Sequence, residues 1–225
     1  MKISIKILII LITMQKLAYS ETYIDEDINI YQIKLILISH NPSNYIEYEE
    51  NFKSSIYLEK KNITINKNNC LINNDGLCEK YNSDYKLDNF NDYIKALNKD
   101  SDINVVKHIE WLQEIKEKKY IKIKAGYDYS EDIFNDQLEI KDINILSSGK
   151  ITKYEGDISI LKKEFYQVSF NINERKKMKP PGFFSNEVLV SKNYKITQKI
   201  KLNKITYIDR DDFGIIIKIS KVKEM

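Results

Sequence analysis

Tyr194, Lys199, Lys201, Tyr207 and Asp209 crowd into one short stretch near the C-terminus, and their types suit recognition better than catalysis. Tyrosine rings offer faces for sugar C–H groups, lysines meet carboxylates, and an aspartate accepts from hydroxyls. The same residues have plainer uses. Lysines on a strand margin discourage edge pairing, and a chain with 16 tyrosines places many of them on sheet surfaces and in the core.

Catalytic patterns are missing. There is no Gly-x-Ser-x-Gly elbow, and His40 and His108 are the two histidines, far apart and without a nucleophile nearby in sequence. Asp212-Phe-Gly214 spells a kinase metal-binding tripeptide, but neither a catalytic-loop motif nor a glycine-rich loop accompanies it. Asp209, Asp211 and Asp212 offer few oxygens for calcium and suit a turn. No catalytic residue, metal or cofactor is expected. Cys70 and Cys78 bracket an Asn-Asp-Gly turn; in an exported chain they read as a disulfide, with a zinc site as the alternative, for which further ligands at the right spacing are missing.

These residues need strands to position them. Alternation puts Ile196, Gln198, Ile200 and Leu202 on one face and Lys195, Lys199 and Lys201 on the other. A more apolar strand covers Ile215 to Ile219, and Asp209 to Gly214 forms the turn, so the chain end reads as a hairpin of these two runs. Ile30 to Ser39 is apolar on both faces, as in a strand central to its sheet. Irregular structure is expected from Tyr45 to Tyr85, with a short strand near Ser55 to Leu58.

Asp88 to Lys119 is predicted helical. Phe90, Tyr93, Ile94 and Leu97 have helical spacing, and Ile103, Val106, Ile109, Leu112 and Ile115 recur every third residue, with Val105 and Trp111 widening the stripe. Tyr120 to Ala125 then reads as a strand, and the crossover would lay it beside Ile30 to Ser39 in parallel. Further strands are expected at Gln137 to Leu146, Ile151 to Lys163, Phe165 to Asn173, and Val188 to Val190. The expected fold class is α+β: a mixed, mostly antiparallel sheet with helices packed on one side and a β-rich C-terminal half from residue 120 to 225.

Residues 1–20 read as a secretory signal: Lys2 and Lys6, an apolar run from Ile7 to Met14, and Ala18-Tyr-Ser20 at the cleavage site. Cleavage is expected after Ser20, leaving residues 21–225 as one domain in the periplasm with no stable membrane span. No cysteine directly follows the apolar run, which argues against lipid attachment. The full chain has 36 basic and 33 acidic residues; losing Lys2, Lys6 and Lys16 balances them, which speaks against nucleic acid as a partner.

Three blocks in order resemble the CsiV family of Gram-negative periplasmic proteins. They are Tyr31 to Ile38, Gly156 to Asn171, and a terminal pattern of basic stretch, tyrosine, aspartate, turn and glycine met here by Lys199, Lys201, Tyr207, Asp209 and Gly214. Lysine stands where the family tends to arginine, and Thr206 and Arg210 where it has histidines. The resemblance implies a non-catalytic peptidoglycan-binding protein with Tyr194, Lys199, Lys201, Tyr207 and Asp209 as candidate ligand residues. It further implies help in activating a bifunctional peptidoglycan synthase through its outer-membrane lipoprotein activator. Two other readings stay open on the residues alone. One is an envelope adaptor docking a protein through a strand edge or Phe183-Phe184; the other is a hydrolase with a carboxylate pair.

Overall fold

The computed structural model describes residues 29–40, 63–65, 70–81, 85–88, 90–134, 150–178 and 187–222. The expected leader, the strands at Ser55 to Leu58 and Gln137 to Leu146, and Phe183-Phe184 lie outside these residues. The strands are β1 (Ile30–His40), β2 (Ile63–Thr64), β3 (Cys70–Ile72), β4 (Cys78–Lys80), β5 (Ile103–Glu114), β6 (Tyr120–Asp128), β7 (Thr152–Lys162), β8 (Tyr166–Met178), β9 (Val188–Ile200), β10 (Ile205–Asp209) and β11 (Phe213–Lys221). Two short helices, α1 (Asn91–Leu97) and α2 (Ser130–Phe134), accompany them.

The strands form a first sheet in the order β10-β11-β1-β5-β3-β4 and a second in the order β2-β6-β7-β8-β9. The two pack face to face. Ile33, Leu35, Trp111, Phe213, Ile215 and Ile217 of the first sheet share one core with Ile121, Tyr154, Ile158, Phe170 and Ile172 of the second. Tyr31 and Tyr166 meet across the gap with hydroxyls 2.9 Å apart and rings edge to face.

β1 is central, flanked by β11 and β5 in antiparallel register. Its odd residues face the second sheet, while Ile36 and Ile38 pack under Phe90, Ile94 and Leu97 at the start and along α1. That double burial explains the run without alternation. Lys34, 1 % exposed, lies under the same cover. It donates to the Asp88 carbonyl and sits 3.9 Å from Glu110 and 5.4 Å from the Phe90 ring centroid. A buried ammonium persists only with such partners.

The α+β expectation is overturned, since the fold is mostly strand, in two facing sheets. The predicted helix from 103 to 119 is β5 and the turn after it, and helix in this region is confined to α1. A β-bulge misled the spacing. Leu37 pairs with Lys107 but Ile38 with Val105, so Val106 is an extra residue that packs into the inter-sheet core while Ile103 and Val105 pack with Phe90 on the other side. A bulge on a strand buried on both faces turns a period of two into an apparent repeat of three.

The predicted crossover fails with the helix: β1 and β6 belong to different sheets. The terminal hairpin also needs correction. The lysine-bearing run is β9, which pairs with β8 in the second sheet, whereas β11 pairs with β10. The turn after Asp209 was legible; its partner strand was not. The Cys70–Cys78 disulfide is present, with Cα atoms 5.4 Å apart, and ties β3 to β4. No helix of the described residues is long and apolar enough to cross a membrane.

Candidate functional site

β10 is a margin of the first sheet, and its pairing places Tyr207 opposite Ile216 and Asp209 opposite Gly214. Alternation turns Ile205, Tyr207 and Asp209 to the outward face, away from the second sheet. Ile208 points inward and is buried in the core. The ring of Tyr207 crosses to the next strand and lies over Gly214. A Cβ at Gly214 would come 2.5 Å from Tyr207 Cε2 and 2.7 Å from its hydroxyl oxygen, so no side chain fits beneath the ring.

Two polar partners hold the ring there. The Tyr207 hydroxyl donates to Asp209 Oδ1 at 2.7 Å. His40, at the end of β1, brings Nε2 within 3.1 Å of Asp209 Oδ1 and 3.3 Å of the Tyr207 oxygen. The His40 backbone is fixed in turn by its N–H donating to the Asp212 carbonyl at 3.1 Å. Tyr207 nonetheless remains 49 % exposed. Partial burial first, and then the Asp209 hydrogen bond, push its hydroxyl up to about 12. The Tyr207 hydroxyl, followed by His40, holds the Asp209 carboxyl below its ordinary range.

This arrangement is a fixed aromatic platform with a carboxylate and an imidazole at its polar edge. An exposed ring of this kind stacks on the C–H face of a sugar, while the flanking groups exchange hydrogen bonds with hydroxyl or amide substituents.

The other expected site residues lie elsewhere. Tyr194 is half-buried at the end of the sandwich, its ring edge-on to Phe213 at 5.0 Å and its hydroxyl donating to Glu174 Oε2 at 3.3 Å. Tyr154 donates to the other oxygen of Glu174 at 3.4 Å. Burial pushes the Glu174 carboxyl up, with Lys176 opposing. Lys176 also reaches Asp212 at 2.6 Å, joining the second sheet to the β10–β11 turn. Tyr194 therefore belongs to an inter-sheet lock.

Lys199 is exposed on β9 with its ammonium 3.9 Å from the Phe165 ring centroid. Lys201 is exposed in the turn between β9 and β10, where the Lys204 N–H donates to its carbonyl at 3.2 Å. β10 runs from that turn toward Asp209, so the two lysines sit at the opposite end from the Tyr207 platform. The structure brings Tyr207, Asp209 and Gly214 together and leaves both lysines and Tyr194 apart. His40 is the member that sequence reasoning missed. Its proximity depends on β1 pairing with β11, where Ser39 opposes Phe213, and no local motif announces that.

No curated protein and no solved structure matches the chain. A family model described as peptidoglycan-binding protein CsiV matches residues 3–222, nearly the whole length, and the chain therefore belongs to the CsiV family of peptidoglycan-binding proteins.

Proposed function

We propose that this chain binds peptidoglycan in the periplasm through the Tyr207, Asp209 and His40 platform, as a recognition protein and not as a catalyst. The observation that carries this reading is the seating of Tyr207 over Gly214 with its hydroxyl tethered to Asp209. An aromatic face held open at a sheet margin is costly to leave in water and suits a sugar ring. Asp209 and His40 then take the hydroxyl and acetamido groups of the bound saccharide.

In the same reading the chain is exported by residues 1–20 and supports wall synthesis by helping a lipoprotein activator stimulate a bifunctional synthase. Membership of the family supports the binding part. Mature protein starting at residue 21 is expected to sediment with purified sacculi, and the Tyr207→Ala and Asp209→Ala variants to stay largely in the supernatant. Wild-type protein left in the supernatant beside a sedimenting control binder defeats the proposal. The activator role has its own test: glycan-strand synthesis by the purified synthase and activator should rise when the chain is added.

A further inference from the structure

We propose that the chain carries a second saccharide-stacking station, formed by Tyr127, Asp132 and Lys177 at one end of the second sheet. This inference rests on the reading of Tyr207 given above. Both stations would hold sugar units of the same N-acetylated glycan network.

Three of the described tyrosines are exposed: Tyr93, Tyr127 and Tyr207. Tyr93 packs against Phe90 at 4.9 Å and has no hydroxyl partner among the described residues. Tyr127 is built like Tyr207. It is 55 % exposed, and its hydroxyl donates to Asp132 Oδ1 at 3.4 Å. A basic side chain completes the group, since Lys177 Nζ lies 2.8 Å from Asp132 Oδ2 and 5.6 Å from the Tyr127 centroid.

The backbone turns Tyr127 outward. Ala125 pairs with Tyr154 and Asp128 with Thr152, so Gly126 and Tyr127 together oppose one residue of β7 in a bulge. Gly126 takes φ +81°, and a Cβ there would meet Lys153 Cβ at 3.0 Å. Bulges of this type re-aim a side chain at a sheet margin. Behind the ring stands Tyr129, edge-on at 5.0 Å, buried and anchored by its hydroxyl donating to the Arg175 carbonyl at 3.3 Å. Lys177 and Tyr129 brace Tyr127 and leave more than half of it open.

The two stations share a scaffold. Lys176 and Lys177 are consecutive on β8 and point to opposite faces; the first reaches Asp212, three residues beyond Asp209, and the second reaches Asp132. With the two sheets about 10 Å apart, the platforms face opposite sides of the sandwich. The two rings lie on the outward faces of opposite sheets, so two neighbouring strands of a network, one on each side of the sandwich, engage both. Two weak contacts on one network multiply into strong retention on an insoluble wall, whereas short fragments bind weakly.

The test compares sacculi with soluble disaccharide-peptides released by a muramidase, using the full mature chain and Tyr127→Ala, Tyr207→Ala and the double variant. Both rings are exposed, so folding is expected to survive, and Tyr127→Phe keeps the ring as a control. Each single alanine variant should lower sacculus affinity about tenfold and the double variant far more. Fragment stoichiometry should fall from two per chain to one in each single variant. If Tyr127→Ala leaves sacculus affinity and stoichiometry unchanged while Tyr207→Ala is impaired, the second station is wrong and the first stands. If Tyr207→Ala is unchanged and Tyr127→Ala is impaired, the Tyr207 reading falls and Tyr127 remains a station. If the double variant still binds like wild type, both are wrong.

Discussion

Gly214 exists to be covered by Tyr207: the ring's outer end occupies the space where any Cβ at 214 would stand. A single backbone position on β11 therefore controls an aromatic ring on β10.

Gly214→Ala should push the ring off its seat without removing it. Sacculus binding is expected to drop about as much as in Tyr207→Ala, on the order of tenfold, with a stability loss of only about 1 kcal/mol because Tyr207 can swing into solvent. Thermal melting and co-sedimentation measured together separate the two effects.

The Asp209 carboxyl is held below 3.8 chiefly by the Tyr207 hydroxyl. For a depressed carboxyl, the stabilisation is complete above the ordinary value and is lost as pH falls through the lower folded value. A carboxyl-carbon NMR titration should place its midpoint below 3.8. In Tyr207→Phe the midpoint should climb back toward the ordinary value.

Glu174 has the opposite sign. Burial raises its pKa above 4.5, so the folded state takes up a proton that the unfolded state releases, and stability falls as pH rises above 4.5 toward the folded value. Glu174→Gln removes the buried charge and keeps a carbonyl acceptor for one of the two tyrosine hydroxyls, while its amide N–H can donate to the oxygen of the other. It should raise the melting temperature by a few degrees at neutral pH and flatten that pH dependence.

The Cys70–Cys78 bridge closes a loop with a sequence separation of 8. Replacing both cysteines with serine should cost about 2.5 kcal/mol by loop entropy. Denaturant unfolding of the oxidised protein and the double variant measures it. Binding at Tyr207 should be unchanged, since β3 and β4 lie at the other margin of the first sheet from β10.

What the sequence disclosed follows from locality. Tyr207, Asp209 and Gly214 fall within one hairpin, so a local pattern sufficed to group them, and the apolar run of β1 marked a central strand without reference to its neighbours. The cysteines needed only their short spacing and the expectation of export. Long-range register was illegible: nothing in Tyr194 to Lys201 says that it pairs with β8, and His40 reaches Asp209 only because β1 pairs with β11. Val106 shows a different failure, in which one bulged residue imitates a helical stripe. Ile103, Val105, Val106 and Ile109 are all β-branched, a strand signal that outweighed the spacing in the folded chain.

The most direct measurement uses the two imidazoles, His40 beside Tyr207 and Asp209, and His108 about 6.4 Å from the Phe90 ring on the same sheet. Imidazole NMR signals are followed while muramidase-released disaccharide-peptides are added to the folded, mature chain. The account predicts that the His40 signals shift and saturate with the binding curve while those of His108 stay in place. Saturable binding with His40 unmoved would contradict it and place the peptidoglycan contact elsewhere on the molecule.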